Sequence, residues 1–131
     1  MTTYHLDTNV LILGVPEGFP DAATQISSLV YAEFLDGLNS ARTETVIRTQ
    51  RDADGLARLY GGGVPFDGEA ARIYQVLSAV SLRSGKNSRR RRVDLMIAAT
   101  AVCHNAVLAT YNPSDFDGIE GALEVLDLGS V

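Results

Sequence analysis

Two features predict an α/β domain built on a mostly parallel sheet. Short apolar runs of strand length occur at 4–6, 106–110 and 123–128. Longer segments lie between them, with apolar residues at helical spacing. Strands that alternate with helices along a chain pair through crossovers, which makes the sheet parallel. The 131 residues suit one domain, 1–131, large enough to bury a substantial core.

The elements follow in order. Tyr4-His5-Leu6 is a short strand running into the polar residues Asp7-Thr8-Asn9. Val10-Leu11-Ile12-Leu13 then begins an apolar helical turn. Pro16, Gly18 and Pro20 make 14–21 a loop. Gln25-Ile26-Ser27-Ser28 reads as a strand, with Ser28 capping a helix through 29–35 that ends near Gly37. Over 43–60, Val46, Ala53, Leu56, Ala57 and Tyr60 share one helical face, and Gly61-Gly62-Gly63 stops the helix. No Gly-Lys-Ser/Thr follows, so the three glycines are not a phosphate loop.

Val64-Pro65-Phe66 is extended, and Asp67 is the cap expected for a helix over 68–82. Ala70, Ile73, Leu77 and Val80 line its buried face. A polar linker, 83–92, ends in Arg89-Arg90-Arg91-Arg92. The segment 94–104 is apolar nearly all round, which predicts a buried helix. Residues 106–110 form a buried strand, Asn112-Pro113 a turn, and 123–128 a final strand at an edge. His5 and His104 read as structural, and Cys103 as a small buried residue. Tyr31, Phe34, Leu35 and Leu38 are read as core, the other reading being a partner patch.

Several classes fall away on composition. No apolar run is long enough to span a bilayer, and no export signal is visible, so the cytoplasm is the expected compartment. One cysteine excludes an internal disulfide framework. The net charge of −5 argues at first against a nucleic-acid partner. Its distribution argues otherwise. Residues 1–41 and 93–131 hold five and six acids with no Lys or Arg, whereas 42–92 hold all eleven bases and five acids, a local charge of +6. Ten of those bases are Arg, the residue suited to bidentate phosphate contacts.

In a parallel sheet, ligands bind beyond the carboxyl ends of the strands. Asp7 follows the first strand, Glu33 lies in an apolar helical segment, Asp94 opens the buried helix, and Asp115 follows the 106–110 strand. Each has an ordinary reading as well: Asp7 and Asp94 as helix caps, Asp115 as a turn residue, Glu33 as a solvent-facing acid. Taken together they place four acids at one edge of the sheet. Such a cluster repels itself and calls for a divalent cation. Oxygen ligands favour Mg²⁺ or Mn²⁺ over zinc. The arginine run beside Asp94 reads either as a solvated loop or as a clamp on a nucleic-acid backbone, through Arg89, Arg90, Arg91 and Arg92.

These residues resemble a known family. Leu6-Asp7-Thr8-Asn9-Val10-Leu11, Tyr31-Ala32-Glu33-Phe34, Val93-Asp94-Leu95-Met96-Ile97-Ala98-Ala99-Thr100-Ala101 and Thr110-Tyr111-Asn112-Pro113-Ser114-Asp115-Phe116 are similar to the motifs of PIN-domain ribonucleases, and more narrowly of VapC-type toxins. The motifs fall in family order over essentially the whole chain. The resemblance implies a three-layer α/β/α PIN-like sandwich with a mostly parallel sheet of four or five strands. It implies a Mg²⁺- or Mn²⁺-dependent endoribonuclease, the toxin of a toxin–antitoxin pair, working as a homodimer and inhibited by a cognate antitoxin. Family roles pass to Asp7, Glu33, Asp94 and Asp115 as the acidic quartet, with Asp7, Asp94 and Asp115 holding the metal.

Thr8, Thr110 and Asn112 would support that site, Asn112 standing where some members carry another acid. Asp117 is a reserve acid in the loop. The rival readings are a PIN-like phosphohydrolase or nuclease on another substrate, and an inactive PIN binding module. A phospho-receiver domain is disfavoured, since the only lysine, Lys86, lies in the basic linker.

Overall fold

The computed structural model describes residues 1–39, 43–86, 89 and 91–130, the side chains of 43–49 excepted. Four strands alternate with five helices: β1 (Thr3–Leu6), α1 (Thr8–Leu13), β2 (Ala23–Gln25), α2 (Ser28–Asp36), α3 (Thr43–Tyr60), α4 (Gly68–Arg83), α5 (Arg92–Cys103), β3 (Val107–Thr110) and β4 (Val125–Asp127). Short 3-10 turns occupy Gly37–Asn39, Pro113–Phe116 and Leu128–Ser130.

All strand pairs are parallel, in the order β2-β1-β3-β4. The chain leaves β1 for β2 on one side and later enters β3 on the other. The direction of winding therefore switches between β1 and β3, where a doubly wound sheet opens a crevice. Both inner strands are covered on both faces. Successive strand residues point to opposite sides, yet Leu108 and Ala109 are both wholly buried, as are His5 and nearly all of Leu6. Helices thus lie on each face, as a parallel sheet requires.

Capping residues set most helix boundaries where the sequence predicts them. The Asp67 carboxylate accepts from the Ala70 N–H at the start of α4. Gly37 follows the last turn of α2, and α3 ends at Gly61 and Gly62, both at positive φ. The face of α4 is as expected: Ala70 and Leu77 are buried, and Ile73 and Val80 pack on the core. Phe34 is buried and Tyr31 packs on the core. Val46 falls among the side chains outside the description.

Four expectations need correcting. The strand β2 spans Ala23–Gln25 rather than 25–28. The stretch from Ile26 to Ser28 is also extended, but it pairs with the loop after α3: Val64 N–H donates to Ile26 O at 2.8 Å and Ser28 N–H to Val64 O at 2.9 Å. That pairing fixes the second difference. The Ser28 amide is engaged with Val64, so Ser27 is the cap, its Oγ accepting from the Val30 N–H at 3.0 Å. Gly63 is the residue this pairing demands. It holds φ 93°, and a Cβ there would sit 2.6 Å from the Ser27 carbonyl carbon. Third, Asp94 does not cap α5; Arg91 holds the cap position without a side-chain cap bond, and Asp94 lies inside the first turn. Fourth, Cys103 is only partly buried, because it ends α5 at the surface.

Candidate active site

The site gathers where the winding switches. Backbone pairing sets the first contact: the Asp7 N–H donates to Ala109 O at 3.0 Å, carrying Asp7 one step beyond β1 and beside the end of β3. Its side chain is buried, with 4% exposure, and is fully engaged. Oδ1 accepts from the Thr8 N–H at 2.9 Å, so Asp7 does cap α1 as well. Oδ2 accepts from the Thr110 hydroxyl at 2.8 Å and the Asn9 amide at 3.3 Å.

Thr110 and Asn9 complete a brace. The wholly buried Thr110 Oγ1 also accepts from Asn9 Nδ2 at 3.2 Å and from the Asn112 N–H at 3.0 Å. The Asn9 carbonyl accepts from the Tyr111 N–H at 3.1 Å. Asn9 thus ties the start of α1 to the chain leaving β3. Asn9 is not marked in the sequence by its own chemistry; its place two residues after Asp7 on a tight strand-to-helix turn is the only signal there. Of the residues expected to support the site, Thr110 does so directly. Thr8 does so through its hydroxyl, which donates to Glu33 Oε1 at 2.5 Å. Asn112 is exposed, makes no side-chain cap bond, and contributes its backbone N–H.

The four acids share one electrostatic neighbourhood. Burial raises the Asp7 pKa above the ordinary carboxylate range; the Thr110 and Thr8 bonds oppose this, and the charges of Glu33 and Asp115 add to it. Asp94 is pushed up to about 7, first by burial and then by the charges of Asp115, Asp7 and Glu33, against a smaller pull from Arg91. Asp115 is half-buried in the 3-10 turn after β3. Glu33 is exposed to solvent, and one of its carboxylate oxygens accepts from the Thr8 hydroxyl. Asp117 is exposed at the end of the turn.

Among the described residues, no three His, Cys, Asp or Glu side chains are arranged to hold one ion. The carboxylates feel one another's charge without forming an all-protein cage. That arrangement still fits a hard cation of the Mg²⁺ type, which takes one or two carboxylates and keeps several waters. The donor set is oxygen throughout, and an acid raised by burial and by neighbouring carboxylates, such as Asp94, gains most from a nearby cation.

The described arginines of the run do not share one setting. Arg92 is exposed at the first residue of α5, and Arg89 is exposed in the preceding turn. Arg90 lies outside the described residues. Arg91 is turned inward: its Nε and Nη2 donate to the Asp115 carbonyl at 3.1 and 2.7 Å, and Nη1 donates to Ser81 Oγ at 2.8 Å.

Known proteins share this architecture. No family model matches the chain. It is 34% identical over 95 residues to VapC ribonuclease Y4jK of Sinorhizobium fredii, a match covering 70% of this chain and 66% of that protein, just under two thirds of the relative's length. A chain of VapBC-5, a member of the VapBC family of toxin–antitoxin systems from Mycobacterium tuberculosis, superposes with a TM-score of 0.81 at 26% identity, over 96% of this chain and 97% of that one. FitAcB from Neisseria gonorrhoeae shares the fold at 22% identity, with a TM-score of 0.78 over 98% and 99% of the two chains. A four-stranded parallel sheet with acids gathered at its switch point defines the molecule as a PIN domain. Within that class, the chain belongs to the VapC family.

Proposed function

We propose that this chain is a divalent-metal-dependent endoribonuclease and the toxin of a toxin–antitoxin pair. One observation carries the reading: Asp7 and Asp94 are buried at the switch point within reach of the charges of Glu33 and Asp115, and Asp94 is pushed up to about 7. A structural role would disperse these acids; a cation site gathers them. The relative named a VapC ribonuclease and the neighbours from VapBC systems support the assignment.

In this reading Asp7, Asp94 and Asp115 hold Mg²⁺ or Mn²⁺, directly or through water. A bound divalent cation supplies an activated water and offsets charge on the leaving oxygen. The Thr110–Asn9 brace fixes the Asp7 carboxylate at the strand end. Glu33, held by Thr8, completes the shell or takes the proton of the attacking water. Attack in line on the phosphate leaves a 3′-hydroxyl and a 5′-phosphate. Arg89 and Arg92 lie exposed just before Asp94, where they would meet the RNA backbone.

An antitoxin partner is supported by the VapBC neighbours and by Ile12 and Leu13, exposed to 69% and 67% at the end of the helix that Asp7 caps. A homodimer and a cytoplasmic setting, which the family resemblance implies, belong to the same proposal. No helix among the described residues is long and apolar enough to cross a membrane.

The test is incubation of the purified protein with total RNA and Mg²⁺ or Mn²⁺, followed by mapping of the new ends. Cleavage should require the metal, stop with chelator, and be abolished in Asp94→Ala. Full activity in Asp94→Ala, or cleavage indifferent to chelator, overturns the assignment.

A further inference from the structure

The arginine run contains one member with a separate task. Arg91 spends all three guanidinium nitrogens inside the molecule. Two grip the main-chain carbonyl of Asp115, in the turn after β3. The third reaches Ser81, which is wholly buried near the end of α4. The Arg91 backbone meanwhile starts α5, its carbonyl accepting from the Leu95 N–H at 2.8 Å, and Asp94 stands three residues on. One side chain therefore joins the end of α4, the start of α5 that presents Asp94, and the turn that presents Asp115.

The joint is closely fitted around it. The Ser81 carbonyl accepts from the Lys86 N–H at 3.0 Å. Ser84 Oγ donates to Gly118 O at 3.3 Å, and a Cβ on Gly118 would lie 3.0 Å from the Ser84 Cβ. A fork that donates from three nitrogens in fixed directions suits this task; a lysine ammonium would reach one partner and leave the other.

We propose that Arg91 is the positioning residue of the candidate metal centre, holding the Asp115 turn in fixed relation to Asp94, and is not part of the RNA-contacting face. The proposal rests on the metal-dependent nuclease reading above. It deepens that reading by removing one arginine from the substrate surface and placing it behind the carboxylates.

The test separates three measurements on wild type, Arg91→Lys and Ser81→Ala, each checked for folding by its thermal unfolding curve. Mn²⁺ binding is measured by calorimetry on the protein alone. Binding of a single-stranded RNA oligonucleotide is measured by fluorescence anisotropy in EDTA. Cleavage of the same RNA gives kcat and KM. Arg91→Lys should weaken Mn²⁺ binding about tenfold, the lower end of what loss of an outer-shell partner costs. It should lower kcat by a similar factor and leave RNA affinity in EDTA and KM unchanged. Ser81→Ala, which keeps the arginine but removes one anchor, should move the same quantities the same way by less, and it decides the matter if Arg91→Lys does not fold.

Loss of RNA affinity with Mn²⁺ binding intact would make Arg91 a phosphate contact and overturn the proposal. Unchanged Mn²⁺ affinity and kcat in a folded variant would overturn it too. If wild type binds Mn²⁺ but cleaves no RNA, the nuclease reading fails while the calorimetric comparison still judges Arg91. If wild type binds no Mn²⁺, the metal centre and the proposal fall together.

Discussion

Thr110 donates a 2.8 Å hydrogen bond to Asp7 across 103 positions of sequence, and both groups are buried at the point where the sheet changes its winding. The bond joins the ends of the two central strands. It also aims the one carboxylate of the quartet that is fully committed to hydrogen bonds.

Thr110→Val should therefore destabilise the fold without changing its shape. Valine replaces the hydroxyl at equal volume, leaving Asp7 Oδ2 short of its best donor and the Asn112 N–H without its acceptor. A loss of about 1–3 kcal/mol is expected, the usual cost of orphaning buried polar groups. Urea unfolding monitored by circular dichroism measures it. Wild-type stability in Thr110→Val would show that the brace contributes nothing to the fold.

Asp94 makes stability depend on pH in an unusual direction. Its pKa rises from the ordinary aspartate value of 3.8 to about 7 on folding. The stability tied to its protonated form is complete below pH 4 and is lost as pH rises through 7. In EDTA, Asp94→Asn should therefore be more stable than wild type at pH 8, with the gap closing toward pH 4. The gain should be on the order of 1–2 kcal/mol, below the full linkage value because solvent still reaches the carboxylate. Mg²⁺ should reverse the order by stabilising wild type alone. Unfolding curves at the two pH values, with and without Mg²⁺, test both statements.

His5 acts in the opposite sense. It is wholly buried in β1, where neither ring nitrogen meets a partner at full hydrogen-bond geometry among the described residues and Gln25 lies close enough only to oppose part of the burial. Burial, then the charge of His104, lowers its pKa from 6.5 to about 4. The folded state holds the ring neutral, so stability is lost as pH falls from 6.5 through 4, by about 3 kcal/mol at the end of that range. His5→Leu should flatten this acid limb. The comparison belongs in an Asp94→Asn background, since the two groups oppose each other over the same pH range. An acid limb unchanged by His5→Leu would assign it to other groups.

Arg89 and Arg92 set the expected salt response. Replacing both with alanine should reduce the slope of log affinity against log salt for single-stranded RNA by about 1.4, the loss expected for two phosphate contacts. Anisotropy titrations in EDTA over a range of KCl concentrations give the slope. A slope equal to wild type would place both residues off the RNA path.

Local chemistry announced much of this molecule. Asp67, Gly37 and the Gly61–Gly63 run marked helix ends because capping depends on a few neighbouring residues. Ala70, Ile73, Leu77 and Val80 marked a buried face because helical spacing is rigid. The quartet was legible because an acid at a strand end or among apolar residues is costly without a purpose. The choice between Ser27 and Ser28 as cap was not legible. Both carry the same hydroxyl, and the decision came from Val64, more than thirty residues away, which engages the Ser28 amide.

By itself, then, the sequence determined the alternation of strands and helices, the parallel sheet that follows from it, and which four acids stand as candidates for the site. These depend on periodicity, capping and charge, all of which act over a few residues. The tertiary structure decided which donors aim the acids. Thr110 and Asn9 brace Asp7, and Arg91 turns inward to hold the Asp115 turn. An arginine in a charged loop has the same composition whether it faces solvent or a buried carbonyl. Only the packing of α4, α5 and the turn after β3 supplies the carbonyl and the buried serine that draw it inward.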